Sequence, residues 1–153
     1  MKKVLLAVDD TKGSHSALNT FIDLFSCMRP DTVVLLNVQQ FGGKSVLHDR
    51  ISDTDISVLL EVVKGTEIQE ILDRRSKDIL ESFKKSLEDH GVKGIKTVVK
   101  AGHPAEEILK TAKEEDAGMI IMGSKGKRMH TVLLGSISRE VVNSSEVPVL
   151  IAR

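Results

Sequence analysis

Apolar residues in this chain fall into five short runs, separated by longer stretches in which they recur every third or fourth position. Val4 to Val8, Thr32 to Val38, Met119 to Met122 and Val147 to Ala152 are almost continuously aliphatic, and Ile95 to Val99 is a weaker, alternating run. Runs this short and this rich in Val and Ile predict strands. Unbroken apolarity is the pattern of strands covered on both faces of a parallel sheet.

The intervening stretches carry helical spacing. Ala17, Phe21, Leu24, Phe25 and Met28 form one stripe that stops before Pro30. Ile68, Ile71, Leu72, Ile79, Phe83 and Leu87 form a longer one, closed by Gly91. Pro104 suits a first helical position, with Glu106 and Glu107 in the first turn and Ile108, Leu109 and Ala112 on one face. A last helix carries Ile137, Val141 and Val142 and ends near Asn143-Ser144-Ser145. The predicted order is β-α-β-α-β-α-β-α-β, which implies right-handed crossovers and an α/β fold with a five-stranded parallel sheet and helices on both faces. Residues 39 to 64 are the least regular. Gly42-Gly43 marks a loop there, and Ile56, Val58, Leu59, Leu60, Val62 and Val63 form an apolar patch compatible with a short helix.

Composition narrows the class. A chain of 153 residues, 41% hydrophobic, fits one domain over residues 1–153, since a chain of this size buries roughly 70% of its unfolded surface. Lys plus Arg balances Asp plus Glu at 22 each, so no overall field favours nucleic acid or an anionic membrane. The single cysteine, Cys27, excludes an intrachain disulfide and is expected on a buried helix face as a small core hydrophobe. The apolar stretch after Met1-Lys2-Lys3 ends at Asp9-Asp10, too early for a signal peptide, and no run approaches the roughly 20 residues that span a bilayer. A soluble, cytoplasmic protein is expected.

Two strand ends carry candidate chemistry. The fourth strand runs into Gly123-Ser124-Lys125-Gly126-Lys127-Arg128-Met129-His130-Thr131, and Gly135-Ser136 opens the last helix. Glycines let backbone N–H groups approach a phosphate, a helix N-terminus supplies unpaired donors, and Lys125, Lys127 and Arg128 add charge. The first strand ends in Asp9-Asp10-Thr11-Lys12-Gly13-Ser14. If the two strands are neighbours at the point where strand order reverses, a carboxylate faces a phosphate-binding loop across one crevice, an arrangement suited to a nucleotide. Asp after a strand is equally a turn or N-cap residue, Gly123 and Gly126 can serve a tight turn, and Ser136 and Ser138 can cap a helix. The histidines show no zinc spacing; His103 suits a helix entry, and His130 lies within the loop. No nucleophile elbow, Walker A sequence or Cys/His pair is present, so the chain offers a binding crevice more clearly than catalytic machinery.

These residues together resemble the universal stress protein family over essentially the whole length. The likeness runs through Val4-Leu5-Leu6-Ala7-Val8-Asp9, Ser14 and Ala17, Asn37-Val38, Gly102-His103-Pro104-Ala105-Glu106-Glu107-Ile108, Met122-Gly123-Ser124-Lys125-Gly126, Leu134-Gly135-Ser136 and Val147-Pro148-Val149-Leu150. The resemblance implies a Rossmann-like, adenine nucleotide alpha-hydrolase-like fold with strand order 3-2-1-4-5. It further implies a homodimer joined through the C-terminal strand and, in one subgroup, ATP with or without Mg²⁺. Carried over by position, Asp9 contacts the adenosine part and Val38 meets adenine through its backbone. Gly123, Gly126, Gly135 and Ser136 hold ribose and phosphates, with Ser124, Lys125 and Lys127 beside them. The subgroup's pattern is G-x2-G-x9-G-[ST], whereas only eight residues, Lys127 to Leu134, separate Gly126 from Gly135 here. Asp10 also stands where glycine is common. Weaker or altered ATP binding is therefore expected.

The sequence supports a stress-response or signalling module that binds an adenine nucleotide, with at most slow hydrolysis. The alternative is a nucleotide-free dimeric interaction protein of the same fold. A phosphoacceptor receiver reading of Val8-Asp9-Asp10 lacks the central acceptor aspartate and the late Lys-Pro, and a DNA-binding reading lacks a basic helix stripe.

Overall fold

The computed structural model describes residues 2–40, 67–124 and 134–153. Strands β1 (Lys3–Ala7), β2 (Thr32–Gln39), β3 (Ile95–Ala101), β4 (Ile120–Gly123) and β5 (Val149–Ala152) alternate with helices α1 (Lys12–Met28), α2 (Glu67–Asp89), α3 (Pro104–Glu114) and α4 (Ser136–Ser144). The five strands form one sheet in the order β3-β2-β1-β4-β5, with every pairing parallel. Element order, strand order and fold class agree with the sequence expectations. The apolar patch expected at residues 56–63 lies outside the described residues.

Because consecutive strands are parallel, each connection must cross over a face of the sheet. From β1 the chain steps to β2 and β3 in one direction; from β4 it steps to β5 in the other. The same hand of crossover then puts α1 and α2 on one face and α3 and α4 on the opposite face. Two cores result. Val4, Leu6, Val33 and Leu35 pack under Phe21 of α1 and Leu80, Phe83 and Leu87 of α2. Leu5, Val34, Leu36 and Ile120 pack under Ala105, Ile108 and Ala112 of α3 and Val141 of α4. Successive residues of β1 and β2 thus belong to different cores, which is why these strands read as unbroken apolar runs.

The alternating run proves to be an edge strand. β3 borders only β2, and its Lys96 and Lys100 side chains pair with Glu115 and Glu114 at the end of α3. Charges on an edge discourage pairing with another chain.

Two helix expectations need correction. Cys27 is exposed, not buried. It lies about 120° round α1 from Phe21, outside the stripe of Ala17, Leu18 and Phe21 that meets the sheet. Ile68 and Ile71 are also exposed, at 58% and 64%. The buried face of α2 begins with Ser76, which meets Gln39, the last residue of β2, so the first two turns of the helix run beyond the strand ends.

Candidate functional site

The candidate site lies where strand order reverses. β1 is flanked by β2 on one side and by β4 on the other, so the first and fourth strands are direct neighbours, registered as Leu5 with Ile120 and Leu6 with Ile121. After β1 the chain turns to one face, and after β4 it leads to the other. The two connections splay apart and leave a crevice at the carboxyl ends of the strands.

On the β1 side, Asp9 is built into the turn that starts α1. Its Oδ1 accepts from the Thr11 backbone N–H at 2.9 Å, from Thr11 Oγ1 and from Ser14 Oγ at 2.6 Å, while Ser14 Oγ accepts from the Asp9 N–H at 2.8 Å. The turn role that Asp supports in such positions is therefore present. Among the described residues Oδ2 takes no such bond, so one carboxylate oxygen holds the loop and the other is left for a further donor. Thr11, not Asp10, is the N-cap residue of α1. Asp10 instead forms an ion pair with Arg75 of α2, so the second carboxylate of the pair carries a countercharge.

On the β4 side the fit is made by backbone. A Cβ on Gly123 would lie 2.5–2.7 Å from the C, O and Cα atoms of Gly13, in the first turn of α1. Only glycine allows that approach. Ser124 is buried; its N–H donates to the Ala152 carbonyl at 2.8 Å, and its carbonyl accepts from the Gly135 N–H at 2.8 Å. Ser138 Oγ bonds the carbonyls of both Ser124 and Gly135 at 3.0 Å. Ser124 and Gly135, the flanks of the basic glycine loop, are thus stapled together whatever lies between them. Gly135 is the N-cap of α4, Ser136 its exposed first residue, and neither Ser136 nor Ser138 caps the helix through its side chain. Lys125, Gly126, Lys127 and His130 lie outside the described residues.

The third border is β2. Val8 N–H donates to the Leu36 carbonyl, and β1 has then ended. Alternate residues of a parallel strand direct their backbone groups to the same side, so Val38, two residues beyond Leu36, turns its N–H and C=O toward the gap left by β1. Asn37 Nδ2 closes the floor of that gap by donating to the Val8 carbonyl at 2.9 Å. Asp9, Val38, Gly123, Ser124, Gly135 and Ser136 all sit at the carboxyl edge of the three central strands or on the helix entered from it.

A polar network at the end of β2 was not anticipated from the sequence. Buried Gln39 donates through Nε2 to Asp73 Oδ1 at 2.9 Å and to Ser76 Oγ at 3.2 Å, and Gln69 donates to both Gln39 Oε1 and Asp73 Oδ1. The Gln39 and Gln69 amides hold the Asp73 carboxyl below its ordinary value. The signal was a polar residue closing an apolar strand, together with Gln69, Asp73 and Ser76 spaced along one side of a helix. At the entry to α3, His103 is the N-cap residue and its Nε2 lies 3.7 Å from Glu140 of α4, in keeping with a helix-entry role.

Among the described residues no group of three or more His, Cys, Asp or Glu side chains is placed to hold a metal, and no helix is long and apolar enough to cross a membrane. Comparison with known proteins gives a consistent picture. The chain is 33% identical to universal stress protein MJ0577 of Methanocaldococcus jannaschii over 99% of this chain and 94% of that protein. The solved MJ0577 structure superposes with a TM-score of 0.77. Universal stress protein YxiE of Bacillus subtilis is 34% identical over 99% of this chain and 98% of that one. A universal stress protein family protein from Arabidopsis thaliana, solved with AMP bound, shares the fold at a TM-score of 0.63 and 20% identity, covering 99% of this chain and 90% of that one. The model of the universal stress protein family matches residues 1–153. With the sheet order and the switch-point crevice already in place, this chain belongs to the universal stress protein family.

Proposed function

We propose that the crevice binds an adenine nucleotide, ATP with or without Mg²⁺, and that the protein acts in stress response or signalling through that bound state. The observation that carries this reading is the stapling of Ser124 to Gly135, which holds the two ends of a glycine-rich, basic loop beside Asp9 across the switch point. Gly123, Ser124, Gly135 and Ser136, with Lys125, Gly126 and Lys127 between them, take the ribose and phosphates. Asp9 Oδ2 accepts from the adenosine hydroxyls, and the Val38 backbone pairs with the base edge. The AMP bound to the Arabidopsis family member supports the ligand class. Among the described residues of the site no group is arranged as nucleophile and base, in keeping with hydrolysis that is at most slow.

Thermal unfolding with added ATP tests this. A ligand at one hundred times its dissociation constant adds about 2.7 kcal/mol of stability, and no rise in melting temperature at millimolar ATP, ADP or AMP sinks the proposal. A second reading, a nucleotide-free dimer that engages partners, is favoured by β5. This strand is a sheet edge, and Val149, Leu150 and Ile151 on it are each only partly buried. Such an edge calls for a pairing partner, which a symmetric dimer supplies. Light scattering that shows a monomer at micromolar concentration removes that reading.

A further inference from the structure

The ion pair between Asp10 and Arg75 joins parts of the chain 65 residues apart. Its position follows from its neighbours. Arg75 lies between Asp73 and Ser76, and both of those bond Gln39 at the carboxyl end of β2. The α2 backbone at Arg75 is therefore fixed on the β2 side of β1. From there the guanidinium reaches Asp10, the residue after Asp9, ahead of α1. The pair therefore bridges α2 and the entry to α1 on the α1–α2 face, beside the carboxyl ends of β1 and β2 that border the Val38 gap. Ser124 and Gly135 lie beyond β1, on the β4 side.

We propose that Arg75, positioned by Asp10, is the side wall of the base-and-ribose end of the nucleotide site and sets how tightly that end is held, independently of the phosphates. The assignment rests on the nucleotide reading above. A guanidinium is planar, carries five N–H donors and stacks on aromatic faces. Here Nη2 is committed to Asp10 while the side chain stays 51% exposed. Among the described residues Asp10 is the one hydrogen-bond partner of the guanidinium, which leaves a face and its remaining donors for a purine or ribose. Because Asp10 offsets its charge, the pair adds little net field at the phosphates. With its charge offset in this way, the Asp10 carboxylate does not oppose a triphosphate as a bare carboxylate would.

The neutral ligand adenosine separates this role from phosphate binding. Calorimetric titration of adenosine, AMP and ATP into wild type, Arg75→Gln, Asp10→Asn and the double variant Asp10→Asn/Arg75→Gln, at low and high salt, gives the test. The double variant, which leaves neither charge of the pair uncompensated, should weaken all three ligands by the same factor, about threefold to tenfold, and each single variant should weaken adenosine by that factor. Raising the salt should weaken adenosine binding to wild type toward the variant level, by screening the half-exposed pair, and should leave adenosine binding to the variants unchanged. A loss in the double variant that grows from adenosine to ATP overturns the proposal, as does unaltered adenosine affinity in all three variants. Wild type that binds none of the three overturns the nucleotide reading as well. Should Arg75→Gln not fold, as judged by its melting transition, Asp10→Asn and the salt response of wild type decide the matter.

Discussion

The two sides of the crevice are built by different means. The β4 side is backbone against backbone: Gly123 on Gly13, Ser124 on Ala152, and Gly135 on Ser124. The β2 side is side chain against side chain, with Gln39, Gln69, Asp73 and Ser76 in one network and Asp10 with Arg75 in an ion pair. Backbone contacts carry no net charge and do not titrate, so the β4 side holds the loop flanks in place across pH and salt. The side-chain contacts depend on ionisation and screening, which makes the β2 side the adjustable one.

The largest expected effect breaks the backbone side. Gly123→Ala places a methyl group within 2.5–2.7 Å of Gly13 backbone atoms that cannot swing away. Overpacking of this kind costs about 1–3 kcal/mol, here toward the upper end because the neighbour is main chain. Chemical denaturation should show it, and a loss under about 0.5 kcal/mol would mean that β4 and α1 slide apart freely. Asp9→Ala comes next. It removes the acceptor of three hydrogen bonds in the β1–α1 turn, for a loss of about 1–2 kcal/mol. The same variant should lose nucleotide-induced stabilisation, measured by the shift in melting temperature with ATP.

Smaller effects sharpen the contrast on the side-chain side. Hydrogen bonds from Gln39 and Gln69 lower the Asp73 carboxyl below 3.8. A carboxyl depressed by folding contributes stability at pH values above its unfolded pKa and loses it as pH falls through the folded value. Stability should therefore drop in strongly acidic solution, and Asp73→Asn should flatten that part of the profile by lowering stability near neutrality while leaving the strongly acidic end unchanged. An equal acid response in wild type and variant would place the titration elsewhere. The smallest effect is on the Asp10–Arg75 pair itself, whose side chains are 37% and 51% exposed. Breaking it should change global stability by about 0–1 kcal/mol, and less in high salt, as read from denaturation midpoints. Its weight falls on ligand affinity.

Much of the fold was legible because its signals are local. Strands covered on both faces read as short aliphatic runs, and Pro30, Gly91 and Pro104 punctuate the helices close to where they end or begin. The misread residues have two causes: Cys27 lies off the buried stripe of α1, whereas Ile68 and Ile71 keep helical spacing but lie where α2 runs beyond the sheet. In the site, Asp9 and the glycines stood out by position after a strand. Gln39 did not, because a polar residue closing a strand reads as the start of a loop, and Asp73 and Arg75 did not, since polar residues in amphipathic helices usually face solvent.

The sequence by itself determined the order of elements, the parallel sheet with two covered faces and the family, because periodicity and short motifs are encoded within a few neighbouring residues. Tertiary structure decided what those elements meet. It set the approach of Gly123 to Gly13, the junction of Ser124 with Gly135, and the bridge from Asp10 to Arg75 across 65 positions of chain. Contacts of that kind arise only when crossovers bring distant strand ends to one edge of the sheet, and no local pattern specifies which side chains arrive there together.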